Sequence, residues 1–221
     1  MKQIKKTIAK VYKRLISLSF DEITALTADK IAREVYIIFE KENKKQYKKI
    51  ADDALEFALW YLEQDYYIDK KARAKIKKEF TPEKMVDKVI KEYNPVTGYL
   101  YEREAKRKRA RLTEGLIAGK KNNNRLFFIQ IIERYTNLWY TQSKQYAEDI
   151  ADNTVLEVWK EVGVTKVKWV TQRDERVCQD CGPLDGQIFD IDKVPDKPHY
   201  RCRCEKIPVT VTEKVLTPKG D

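Results

Sequence analysis

Cys178-Gln179-Asp180-Cys181 and His199-Tyr200-Arg201-Cys202-Arg203-Cys204 fall within 27 residues and hold all four cysteines and the single histidine of the 221-residue chain. Little but metal binding or disulfide bonding explains such crowding. Two short knuckles separated by 17 residues suit a tetrahedral site, because each can turn two side chains toward one ion. His199 and Cys202, three apart, pair naturally with Cys178 and Cys181, which leaves Cys204 as a spare ligand or as the replacement for His199. Cys202 and Cys204 share one face of an extended strand, so a site of four cysteines stays open. The expected ion is a structural zinc.

Around this cluster the pattern is that of a small sheet. Lys166–Thr171, Gln187–Ile191 and Lys206–Thr212 are rich in strand formers, and Cys181-Gly182-Pro183-Leu184-Asp185-Gly186 supplies a turn before the second of them. So few residues bury little surface, and a metal clip is a usual remedy for a weak core.

The rest of the chain reads as helix. Ile4, Ile8, Val11, Tyr12, Leu15 and Ile16 recur at three- and four-residue steps. A longer helix follows, with Thr27 as its expected cap and Ile31, Val35, Ile38, Phe39, Ile50, Ala54, Phe57, Ala58 and Tyr61 as its stripe. Thr81-Pro82-Glu83 starts another, and Asn94–Gly98 reads as a turn. A helix from about Tyr99 is expected to stop near Gly119, before the polar loop 120–124. Leu126–Glu161 contains no Gly or Pro. If continuous it is about 54 Å long at 1.5 Å per residue, with Asp152-Asn153-Thr154 as a potential interruption and Gly163 as a left-handed stop. The predicted class is α+β, mostly α. An elongated helical part over residues 1–164 precedes a small antiparallel β domain with the Cys/His zinc knuckle and a C-terminal tail over 165–221.

Composition narrows the function. Charged residues make up 36% and mean hydropathy is −0.67, yet 11% aromatic content argues for a folded chain. No run of about 18 apolar residues occurs, and Met1–Lys6 leads into an amphipathic stretch rather than a signal-peptide core, so neither a membrane span nor export is expected. The thiols then stay reduced, which favours a metal over disulfides. Residues 165–221 carry 11 Lys and Arg against 10 Asp and Glu, so +9 of the net +10 lies in the first part. A surplus of this size favours a polyanionic partner such as double-stranded DNA. The densest basic run is Arg103, Lys106, Arg107, Lys108, Arg109 and Arg111, in which Arg103, Arg107 and Arg111 line one helical face as candidate phosphate contacts. The competing reading is a solvated face balanced by Glu102, Glu104 and Glu114. Trp60, Tyr61, Tyr66 and Tyr67 stand at spacings expected of core.

Catalysis has few candidates. The one histidine is better used as a ligand than as a base, and no phosphate-cradling Gly-rich loop or Gly-x-Ser-x-Gly elbow is present. Asp174, Glu175, Asp180 and Asp185 are expected to cap turns. The chain is therefore expected not to be an enzyme. Two alternatives remain. A zinc-ribbon regulator would read nucleic acid through the small domain, and a metal-dependent nuclease would need Asp174 or Asp185.

The blocks Lys168–Thr171, Asp174–Cys181, Leu184-Asp185-Gly186 and Pro198–Cys204 together resemble the signature of the phage Mu F-like head morphogenesis proteins, minor capsid proteins of tailed phages. The signature covers about 40 residues. One departure is Tyr200, where the family often has a second proline after the histidine. The resemblance implies a low-copy virion protein inside the head, present in the host cytoplasm during assembly. Its implied partners are the portal, capsid and scaffold proteins, with a link to packaged DNA in some relatives.

Overall fold

The computed structural model describes residues 2–212 and 216–219, without the side chains of residues 2–4 and 93. Met1, the Ile4 side chain and part of the expected C-terminal tail thus lie outside the described residues. Among these residues the chain forms α1 (Lys2–Ile16), α2 (Ala25–Leu62), β1 (Tyr66–Ile68), α3 (Lys70–Glu79), α4 (Pro82–Lys91), β2 (Tyr93–Asn94), β3 (Tyr99–Leu100), α5 (Tyr101–Lys121), α6 (Arg125–Val162), β4 (Val164–Val170), β5 (Ile188–Asp190), β6 (Glu205–Val211) and β7 (Leu216–Pro218). The fold is mostly helical with small antiparallel sheets, as the sequence predicts. No described helix is long and apolar enough to cross a membrane.

Two compact units divide the chain. One comprises residues 1–48, 90–94 and 99–148; the other comprises 49–89, 95–98 and 149–221. The first unit is helical. Its core joins Val11 and Leu15 of α1, Val35 and Phe39 of α2, Leu112 and Leu116 of α5, and Phe128, Ile132 and Trp139 of α6. The cap of α2 is Thr24 rather than Thr27. Thr24 Oγ accepts from the Thr27 N–H at 3.2 Å while Thr27 Oγ accepts from the Thr24 N–H at 2.7 Å, a reciprocal box. The helix expected from about Tyr99 runs from Tyr101 to Lys121 and so ends near Gly119, as the sequence predicts. A Cβ at Gly119 would meet Phe128 Cδ2 at 2.4 Å, so this glycine serves close approach of α5 and α6.

In the second unit Trp159 is buried, and its indole N–H donates to the Ala58 carbonyl at 3.0 Å. Asp152-Asn153-Thr154 leaves α6 uninterrupted, because Asn153 Nδ2 donates to Asp149 O at 2.9 Å and Thr154 Oγ to Ile150 O at 2.7 Å. Both polar side chains thus bond the preceding turn of helix. Gly163, at φ 108°, ends the helix as predicted. Helix α3 and the short strands β1, β2, β3 and β7 escape the sequence reading. Helix α3 is capped by Asp69, whose Oδ2 accepts from the N–H groups of Lys71 and Ala72. Strand β1 pairs antiparallel with β7. The expected three-stranded sheet has the order β5-β4-β6, antiparallel throughout.

Candidate metal centre

The sheet and the loops that leave it position the cluster. After β4 the chain is held by Asp185, which accepts from the Thr171 N–H at 2.8 Å and from Arg173 Nε at 3.0 Å. Asp174 takes a bidentate fork from Arg203, both bonds 2.6 Å long, and the backbone N–H of Arg176. That fork ties the segment before Cys178 to the one residue between Cys202 and Cys204. Arg203 holds the Asp174 carboxyl down at about 2.

The first knuckle is closed by backbone bonds. The Cys181 N–H points at Cys178 Sγ at 3.3 Å, and the Gly182 N–H donates to the Cys178 carbonyl at 3.0 Å. The second knuckle turns at Arg201, whose φ of 61° is a left-handed conformation uncommon outside glycine. These turns bring Cys178 Sγ to 3.0 Å and Cys181 Sγ to 3.3 Å from His199 Nε2, and Cys181 Sγ to 3.6 Å from Cys202 Sγ. Two trios of ligand atoms result, Cys178, Cys181 and His199 on one side and Cys181, Cys202 and Cys204 on the other, each with its atoms within 4.8 Å of one another. Cys181 belongs to both. All four cysteines are unbridged. Cys181, Cys202 and Cys204 are buried with Trp169 in the core of the small sheet, and Val177, Leu184, Phe189 and Val194 pack around them.

The histidine tautomer follows from its other partner. His199 Nδ1 lies 2.8 Å from the Tyr200 carbonyl. A carbonyl only accepts, so Nδ1 carries the proton and the Nε2 lone pair faces the sulfurs. Tyr200, singled out by sequence only as a departure from the family, therefore orients a candidate ligand through its backbone, a role that no side chain announces.

The thiols are unequal. Burial opposes ionisation of Cys178, but the backbone N–H groups of Cys181 and Asp180 and the His199 ring more than offset it, and the thiol sits below its ordinary value. Burial pushes the Cys181 and Cys202 thiols up. The His199 value is raised, chiefly by its bond to the Tyr200 carbonyl. Buried sulfurs that hold their protons without a counter-charge give them up to a divalent cation, which is how thiolate sites couple metal uptake to proton release. The five residues named from sequence thus converge, and they can hold a metal ion.

The basic run of α5 is dispersed around its helix. Arg103 and Arg111 are exposed. Lys106 pairs with Glu102 at 2.7 Å, and Arg109 pairs with Asp29 at 3.0 Å. The Arg107 guanidinium lies 4.3 Å above the Tyr99 ring centre. Lys108 points inward on the face that also buries Tyr101, Glu104 and Leu112, a placement legible from the four-residue spacing alone. The aromatics expected in the core divide: Tyr61 packs on Trp159 with ring centres 5.5 Å apart, whereas Trp60 and Tyr67 are mostly exposed.

No curated protein and no solved structure matches the chain. The family model described as phage Mu protein F like protein matches residues 96–207, reaching well beyond the signature of the small sheet to take in α5 and α6. That match spans half of the 221 residues and contains every candidate metal ligand, so the chain belongs to the phage Mu F-like protein family.

Proposed function

We propose that the chain is a minor head-morphogenesis protein of a tailed phage, present in few copies inside the head and acting in assembly near the portal. The observation that carries this reading is the family match over residues 96–207. The test is a nonsense mutation in the gene within its own phage. Infected cells are expected to yield aberrant or non-infectious heads, with rescue by the gene supplied in trans. A normal burst of infectious particles without the chain would overturn it.

In this reading the Cys/His cluster holds a structural zinc that closes the small sheet, and the protein is not an enzyme. The donor set of sulfurs and one imidazole suits zinc. Against the nuclease alternative stands the engagement of its carboxylates, since Asp174 is forked by Arg203 and Asp185 is held by Thr171 and Arg173. Packaged duplex DNA is the proposed polyanionic partner, supported by the +10 net charge and by the exposed Arg103, Lys106 and Arg111. Binding to mixed-sequence duplex should fall steeply with salt. No binding at low salt would remove DNA from the account.

A further inference from the structure

The helical unit contains a small polar cavity beside its apolar core. Asn43 of α2, Glu104 and Lys108 of α5, and Trp139 of α6 line it, closed in by Tyr47, Tyr101 and Tyr146. Most of its polar groups are satisfied. The Tyr101 hydroxyl donates to Glu40 at 2.9 Å and accepts from Asn43 Nδ2 at 3.5 Å; Tyr146 donates to Glu104 Oε2 at 3.3 Å, and Tyr47 to the Ser143 carbonyl at 3.3 Å. Because the Tyr101 proton goes to Glu40, that hydroxyl needs a donor from Asn43, which fixes the amide with Nδ2 toward Tyr101 and Oδ1 away.

Three side-chain atoms of the residues lining it have no hydrogen-bond partner among the described residues and no contact with bulk solvent: Asn43 Oδ1, Glu104 Oε1 and Trp139 Nε1. Their residues are 6%, 1% and 6% exposed. Lys108 Nζ, at 3.8 Å from Glu104 Oε1, is too far to satisfy it. Left unpaired, each such group weighs against the folded state.

We propose that one internal water molecule binds here, joining α2, α5 and α6. The chemistry of the set decides the ligand class. A metal cation satisfies the two oxygens but is repelled by the indole N–H. An anion satisfies the indole but not the oxygens. Water accepts from Trp139 Nε1 and donates to both Asn43 Oδ1 and Glu104 Oε1, with one lone pair left to accept from Lys108. The cavity, about 20 Å³, has room for one such molecule. The consequence is register: a polar layer that closes only when Asn43, Glu104 and Trp139 meet at one level penalises any slippage of the three helices past one another.

The test is a crystal structure of the full chain at a resolution that shows ordered water, with a matching structure of Trp139→Phe. The parent is expected to show one peak within hydrogen-bond distance of all three atoms, and the variant to lose it. In solution, the Trp139 indole proton should show a cross-relaxation peak to a long-lived water, and the folding equilibrium constant of Trp139→Phe should fall about tenfold, the worth of one buried hydrogen bond. A dry cavity, density with the coordination of an ion, or a water retained unchanged in Trp139→Phe would each overturn the proposal.

Discussion

Replacing Lys108 by Met removes the cation from a pair almost wholly out of water, with Glu104 1% and Lys108 9% exposed. Burial pushes the Lys108 ammonium down from 10.5 to about 8, against the pull of Glu104. A displacement of that size corresponds to about 3 kcal/mol spent on holding the charged form inside. Below pH 8 the folded and unfolded chains are both protonated at this site, and the cost is felt in full. Between about 8 and 10.5 the folded chain releases its proton before the unfolded one does, so stability climbs with pH. Tyr47 and Tyr101, pushed up by burial, oppose this above the ordinary tyrosine value of 10.0, where only the unfolded phenols ionise. The buried Cys181 and Cys202 thiols, pushed up from 9.0, oppose it from about pH 9, so the net gain is confined to the window between about pH 8 and 9.

Lys108→Met leaves a buried carboxylate without its counter-ion and should destabilise the fold by about 3–5 kcal/mol at neutral pH. The double change Glu104→Gln/Lys108→Met should return stability to within about 1 kcal/mol of the parent or above it, because the desolvation cost of both charges is gone. Urea denaturation followed by far-UV circular dichroism, at neutral pH and near pH 9, reads both effects. A single variant as stable as the parent, together with a parent whose stability does not rise over that window, would refute the reasoning.

Three further outcomes are expected. Cys181→Ser, which breaks both ligand trios, should abolish zinc uptake measured by elemental analysis, while Cys204→Ser should keep about one ion per chain; equal loss in the two would place Cys204 on the metal. Asp174→Asn, by freeing Arg203, should weaken zinc binding about tenfold in competition with a chelator. The parent's Asp174 contact should persist above the ordinary carboxylate value of 3.8 and be lost as pH falls toward about 2, which a carbon-detected NMR titration checks. Gly163→Ala puts a Cβ 2.6 Å from the Thr212 carbonyl oxygen at φ 108° and should cost about 1–3 kcal/mol in thermal unfolding.

Legibility in the sequence followed the rarity of the signal. Four cysteines and one histidine in two knuckles leave few readings, and all five do meet in space. Strands β4, β5 and β6 were marked by β-branched runs between turn residues. Helix α6 was marked by the lack of punctuation between 126 and 161. Where one residue type serves two ends, the reading failed. Thr27 looks like a cap yet answers one three residues earlier. Helix α3 carries no apolar stripe in the sequence, because Ile76 is its one buried residue. Lys108 belongs to the basic run by charge density but to the buried face by helical phase. The supports of the site, the Tyr200 carbonyl and the Asp174–Arg203 fork, depend on loop geometry that composition does not encode.

The most direct test of the account is quantitative mass spectrometry of purified, DNA-filled particles of the source phage, counting this chain against the major capsid protein. A few copies per particle is the predicted result and establishes a minor virion component. Absence from both mature particles and proheads would contradict the head-protein reading and return a zinc-binding regulator or a nuclease to first place.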